Sequence, residues 1–228
     1  MEEFIRDFKL KNGKGTWVLL AIVIAVYLAH LALGAEFDDF FFLDDNIKKG
    51  QFWRLVSSSI LHCEAGHLLM NASWLVFLCY QVESKFGLGR LFVALLILSV
   101  FSSCAEYLLF GKKCFGFSAV NKGLGMFIWR REISFKEKFY FPLMEKTFLF
   151  GGAILAFVVS AASSCDALFF FTSPADWLVE FIYGVRCSQI SHTGHLSGAL
   201  CGWLLGGLPY FCYRRQGVEE MLPAFQSK

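Results

Sequence analysis

Four polar side chains set in apolar surroundings have the types needed for acyl transfer: Ser118, His195, His67 and Asn71. A serine hydroxyl is a weak nucleophile until a base takes its proton, and histidine is the usual base because its pKa lies near neutrality. The attacked carbonyl then develops an oxyanion, which needs hydrogen-bond donors aimed at it. His67, Asn71 and the backbone N–H groups near Phe117 and Ser118 can supply such donors. These residues sit in three separate segments, and spacing alone does not bring the segments together.

Each segment constrains its own residues. Ser118 lies in Cys114-Phe-Gly-Phe-Ser-Ala-Val-Asn-Lys-Gly-Leu-Gly-Met126, which is too polar and glycine-rich for an ordinary span yet is flanked by long apolar runs. As a helix, Phe115–Trp129 would extend about 22 Å, short of a hydrocarbon core roughly 30 Å thick. One end then stops inside the bilayer near Ser118, where irregular backbone is tolerated only if protein covers it or water reaches it. His67 and Asn71 are four apart and share a helix face. Two readings stand for them, a functional pair facing the bundle interior or an interhelical hydrogen bond. His195, Gly198 and Gly202 also share one face, and the G-x-x-x-G they include permits close approach of a neighbouring helix. If that neighbour is the short helix, His195 meets Ser118.

The composition supports a membrane setting. Of 228 residues, 56% are apolar and 18% aromatic, mean hydropathy is +0.53, and only 4 are proline. That profile excludes an ordinary soluble domain. A net charge of +2 gives no ground for a nucleic-acid partner. The 8 cysteines show neither CxxC pairs nor zinc-finger spacing. Cys63, Cys114 and Cys187 lie in connecting segments, where pairing stays open.

Hydropathy marks six apolar segments: Trp17–Leu33, His67–Val82, Leu91–Phe110, Phe115–Trp129, Thr147–Phe171 and His192–Tyr213. No repeat or low-complexity linker divides them. The expected architecture is an all-α membrane protein, a single six-transmembrane-helix bundle over residues 17–213, with a short fourth helix. Most Lys and Arg residues fall on the side of the N-terminus, among them Arg6, Lys9, Lys85, Arg90, Arg130, Arg131 and Arg214. By the positive-inside rule, the N-terminus (1–16) and the tail (214–228) are cytosolic.

The connecting segments are less specific. Acidic residues interleaved with Phe in Glu36–Asp45 suit a segment lying at the membrane interface. Glu83, in a tight turn, reads as a structural partner. Glu106 and Asp166 read as helix-end carboxylates reaching headgroups or water. Asp176–Tyr183 suits a short interfacial helix with a possible lid role.

Taken in order, Trp53-Arg54, His62-x4-His67-x3-Asn71, Glu83, Gly116-Phe-Ser118 and His195-x2-Gly198-x3-Gly202 resemble the rhomboid family of intramembrane serine proteases. The resemblance covers residues 17–213 and looks closest to members of the secretory pathway. It implies a Ser-His dyad, with Ser118 as nucleophile and His195 as general base, and oxyanion donors at His67 and Asn71. It implies structural roles for Trp53, Arg54, Glu83, Gly116, Gly198 and Gly202. The implied reaction is hydrolysis of transmembrane segments of substrate membrane proteins, within the lipid bilayer, with no metal or cofactor.

Two positions depart from the family pattern. Ala119 stands where a glycine usually follows the serine, and Lys122 stands where an aromatic is common. A charged Lys122 beside His195 would disfavour the imidazolium formed on proton transfer. A neutral one could serve as a second base, and snorkelling to the near surface would remove it from the site. These departures keep an alternative open, a catalytically inactive rhomboid-like protein that binds membrane clients for degradation or trafficking. A transporter is disfavoured because no inverted repeats are visible.

Overall fold

The computed structural model describes residues 13–110, 115–137, 139 and 192–211. Every regular element among them is helical. The expected span Thr147–Phe171, the Asp176–Tyr183 segment and both chain ends lie outside the described residues, as do Asp166, Cys114 and Cys187.

Helix α1, Lys14–Leu33, begins three residues before the hydropathy boundary. The reason is a cap supplied from elsewhere in the chain. The first N–H groups of a helix have no intrahelical partner, and a negative charge there is favoured. Glu83 provides both, accepting from Gly15 N and Thr16 N at 2.8 Å each and from Thr16 Oγ1 at 2.7 Å. Val18, Ile22, Leu28 and Leu31 face outward from α1. By length and composition, α1 and the later helical stretch Leu88–Leu109 are apolar enough to cross a membrane.

Glu83 is itself 7% exposed. Replacing it by Ala removes all three acceptor bonds and strands their donors. Glu83→Ala is expected to destabilise the fold by about 2–3 kcal/mol, read as a lowered melting temperature in detergent. A change of only a few tenths would show that water replaces the carboxylate.

After α1 the chain forms α2 (Ala35–Phe41), a 3-10 turn (Asp45–Lys49), α3 (Arg54–Ser57) and a second 3-10 turn (Ser58–Ile60). Arg54, only 5% exposed, holds this stretch together. Its guanidinium donates to the carbonyls of Asp39 and Phe42 and to Gln51 Oε1. The Trp53 ring stacks on Phe40 at 5.6 Å, and its Nε1 donates to the Phe40 carbonyl at 3.3 Å. Leu43 is fully buried while Phe40 and Trp53 stay largely exposed, so the segment has one inward and one outward apolar side.

Helices α4 (Ala65–Phe86) and α5 (Leu88–Phe110) follow, joined at Gly87, whose φ of +85° closes the turn. Then come α6 (Ser118–Phe135), α7 (His192–Gly206) and a last 3-10 turn, Pro209–Phe211. Leu75, Leu78, Leu98, Val120, Leu124 and Phe127 form the centre of the core.

Helix α6 is buried on nearly every side, which marks an interior helix. Its 18 residues span about 27 Å, running further than the sequence boundary at Trp129. The extension carries Arg130 and Arg131, which lie beyond the expected end of the span. Arg131 stays helical and 1% exposed because its charge is answered. It pairs with Glu137, donates to the Gly206 carbonyl at 3.4 Å, and lies over the Phe86 and Phe135 rings.

Candidate active site

The neighbour of the glycine-faced helix is α6. Added Cβ atoms at Gly198 and Gly202 would overlap the carbonyl oxygens of Ala119 and Gly123, and one at Gly206 would sit 2.7 Å from that of Phe127. Three glycines four apart thus lie on three α6 residues four apart, backbone against backbone. That contact sets how close the two helices come. Ala119 is tolerated there because Gly198 meets its backbone, and Ala119 itself is only 8% exposed.

This packing brings the ends of α6 and α7 together. Ser118 is the first residue of α6 and His195 lies in the first turns of α7. Ser118 Oγ and His195 Nε2 are 2.7 Å apart, across 77 residues of chain. At the head of α7 the Gly194 N–H donates to Glu106 Oε2 at 3.1 Å. Glu106 is 4% exposed, so the expectation that it reaches water or headgroups is corrected. Its carboxyl group accepts from the first turn of α7 instead, the position favoured for such an acceptor.

The loop before α6 is held from two sides. Gly116 adopts φ +102° and donates its N–H to the Ser58 carbonyl at 2.9 Å. A Cβ at Gly116 would approach the His67 ring to 2.6 Å, so only glycine lets the loop lie against that ring. The Phe117 N–H donates to His62 Nε2 at 3.4 Å, while His62 Nδ1 faces the Ile60 carbonyl at 3.2 Å. The assignment is therefore a neutral His62 protonated on Nδ1. Burial supports it, lowering the His62 pKa to about 3. Of the two backbone donors expected near the serine, Phe117 N–H is thus engaged. Ser118 N–H, at the first position of α6, has no intrahelical carbonyl.

His67 and Asn71 line the same region from α4. Asn71 is 2% exposed, and its Nδ2 donates to the His67 carbonyl at 3.1 Å. Asn121 Nδ2 donates to both the backbone O and Oδ1 of Asn71, at 3.1 and 3.2 Å. With Oδ1 accepting, the Asn71 amide is oriented with its NH2 as the donor end. The His67 ring lies 5.0 Å from the His62 ring and 6.1 Å from Phe115. Lys122 is half-buried and makes no hydrogen bond or ion pair with a described residue.

Ser118, His195, Gly116, His67 and Asn71 are therefore brought into one region, with Gly198 and Gly202 beneath it. Trp53, Arg54 and Glu83 lie away from it, in the first loop and at the α1–α4 contact. Asn121 and Glu106 were not read as parts of the site from the sequence. Asn121 did carry a signal, being a polar residue in a span and three positions after Ser118.

A family model described as the Rhomboid domain matches residues 49–210. Among curated relatives, the Rhomboid protease GlpG of Yersinia enterocolitica is 24% identical over 204 residues, covering 89% of this chain and 65% of that protein. The Rhomboid protease GlpG of Haemophilus influenzae is 25% identical over 206 residues, covering 89% of this chain and 94% of that protein. The chain thus spans just under two thirds of the first relative's length and nearly all of the second's. With helices as every regular element among its described residues and this match over most of its length, the chain belongs to the rhomboid family and is an integral membrane protein.

Proposed function

We propose that this protein is an intramembrane serine endopeptidase working through a Ser118–His195 dyad. The observation that carries the proposal is the 2.7 Å contact between Ser118 Oγ and His195 Nε2. The names of both relatives, each a rhomboid protease, point the same way. Ser118 Oγ attacks the scissile carbonyl carbon as its proton passes to His195 Nε2. The resulting oxyanion is met by the Ser118 N–H, the His67 ring and the Asn71 NH2. Collapse expels the amine, which takes the proton back from His195 and leaves an acyl ester on Ser118. Water, deprotonated by the same histidine, then hydrolyses that ester.

The proposed substrates are transmembrane segments of other membrane proteins, cut at a small residue near the outer end. Residues 17–213 are proposed as the six-helix domain, with residues 1–16 and 214–228 cytosolic and the whole in a secretory-pathway membrane. A fluorophosphonate probe tests the proposal in the full-length protein. Wild type is expected to label on Ser118, and Ser118→Ala to remain unlabelled. An intact wild type that never labels would overturn the dyad and favour a client-binding role.

The Asn121 contact gives a second test. Asn121→Leu removes the donor that fixes the Asn71 amide, leaving the fold's apolar contacts largely in place. It is expected to lower kcat by roughly 10- to 100-fold with KM little changed, as for other residues that only orient a donor. Steady-state cleavage of a reconstituted transmembrane substrate reads it. A change confined to KM would place Asn121 in substrate binding instead.

A further inference from the structure

We propose that His30, Asp38 and Cys63 bind one divalent transition-metal cation of the zinc class, at the end of α1 remote from Glu83. His30 lies in the last turn of α1, Asp38 in α2, and Cys63 in the loop before α4. Three separate segments thus deliver a nitrogen, a carboxylate oxygen and a sulfur whose positions all fall within 4.8 Å of one another. His30 Nδ1 is 2.9 and 2.8 Å from the two Asp38 oxygens.

Zinc bonds of about 2.0–2.3 Å in a tetrahedron place ligand atoms roughly 3.3–3.7 Å apart. The site therefore closes with about 1 Å of side-chain movement. The donor set selects the metal class. Imidazole with thiolate suits zinc and its neighbours, whereas calcium and magnesium take oxygen ligands. Charge balances as well. A neutral imidazole, a carboxylate and a thiolate sum to −2, which cancels the dication. That matters at this place because Asp38 is only 6% exposed. On binding, the Cys63 thiol releases its proton to solvent, and the imidazole proton moves from Nδ1 to Nε2. Water completes the fourth position.

A plain His30–Asp38 hydrogen bond would fasten α2 to α1 without Cys63. It leaves unexplained why a thiol from a third segment comes to the same point. The next residue, Glu64, has a buried Oε2 with no hydrogen-bond partner among the described residues, which adds negative potential to this loop. The loop also carries His62, the acceptor of the Phe117 N–H beside Ser118. A bound cation therefore braces α1, α2 and the loop that supports the serine, without touching the reacting atoms.

Co2+ titration of the full-length protein in detergent, with Zn2+ competition, tests the site independently of proteolysis. Wild type is expected to bind one Co2+ per chain, with a thiolate-to-metal absorption band that Zn2+ removes. Cys63→Ser is expected to lose the band, and His30→Ala and Asp38→Asn to bind at least about tenfold more weakly. Cys104→Ser should behave as wild type. Melting curves with and without Zn2+ give a second reading, in which only wild type and Cys104→Ser rise. If His30→Ala fails to fold, the near-isosteric Cys63→Ser decides alone. No band in wild type, or a band that survives Cys63→Ser, overturns the proposal.

Discussion

Ser118→Ala and His195→Ala are each expected to lower kcat/KM by about 10⁴-fold or more, with the double variant no slower than either single one. The proposed attack needs the hydroxyl and its proton acceptor together, so losing one removes the work of both. Residual cleavage would come from the oxyanion donors and substrate binding, which neither substitution touches. Neither change disturbs the glycine contact between α6 and α7, so the melting temperature should stay within a few degrees of wild type. Cleavage of a reconstituted type I membrane protein measures the rates. Wild-type turnover in Ser118→Ala, or singles whose losses multiply in the double variant, would show that the two residues do not act as one unit.

Gly202→Val is expected to cost roughly 3 kcal/mol or more, the upper end of overpacking penalties, and at least about 100-fold in kcat. The site of overlap explains the size. A Cβ at Gly202 lands on the Gly123 carbonyl, a backbone atom at the centre of the α6–α7 contact. Side-chain repacking cannot relieve that, so the helices must separate and carry Ser118 away from His195. Gly207 supplies the contrast, because its added Cβ would lie 3.3 Å from the nearest atom, the Leu204 carbonyl oxygen. Gly207→Ala should cost no more than about 1 kcal/mol and leave turnover unchanged. Thermal melts and cleavage rates measured on the two variants side by side test the argument. Equal effects would show that glycine content, rather than backbone contact, governs the interface.

The places where structure and sequence differ share a cause. The Arg130-Arg131 pair fell beyond the hydropathy boundary because charges rarely stay in apolar helices. The Glu137 partner and the Gly206 carbonyl, both remote in a hydropathy plot, make it helical. Glu106 looked like a carboxylate at a wet helix end because nothing nearby in sequence needs it. Its partner is Gly194, 88 residues further along the chain. The start of α1 was misplaced for the same reason, since Glu83 caps it from 67 residues away. In each case a polar group within an apolar run was read by local chemistry, and its partner was non-local.

Local chemistry did determine a good deal. Hydropathy marked α1 and α5, because burying or lipid-solvating an apolar stretch depends on that stretch alone. Residue types and short spacings singled out Ser118, His195, His67, Asn71 and the glycine face of α7. These are properties of one helix at a time. Only the tertiary structure decided that Ser118 and His195 meet, that Asn121 turns the Asn71 amide, and that His62 occupies the Phe117 N–H. Such pairings depend on how closely two helices approach and in what register. Glycine permits the approach, but the carbonyls it rests on belong to another part of the chain. The short polar stretch around Ser118 carries the hydroxyl, and the backbone of α7 against α6 is what brings His195 to it.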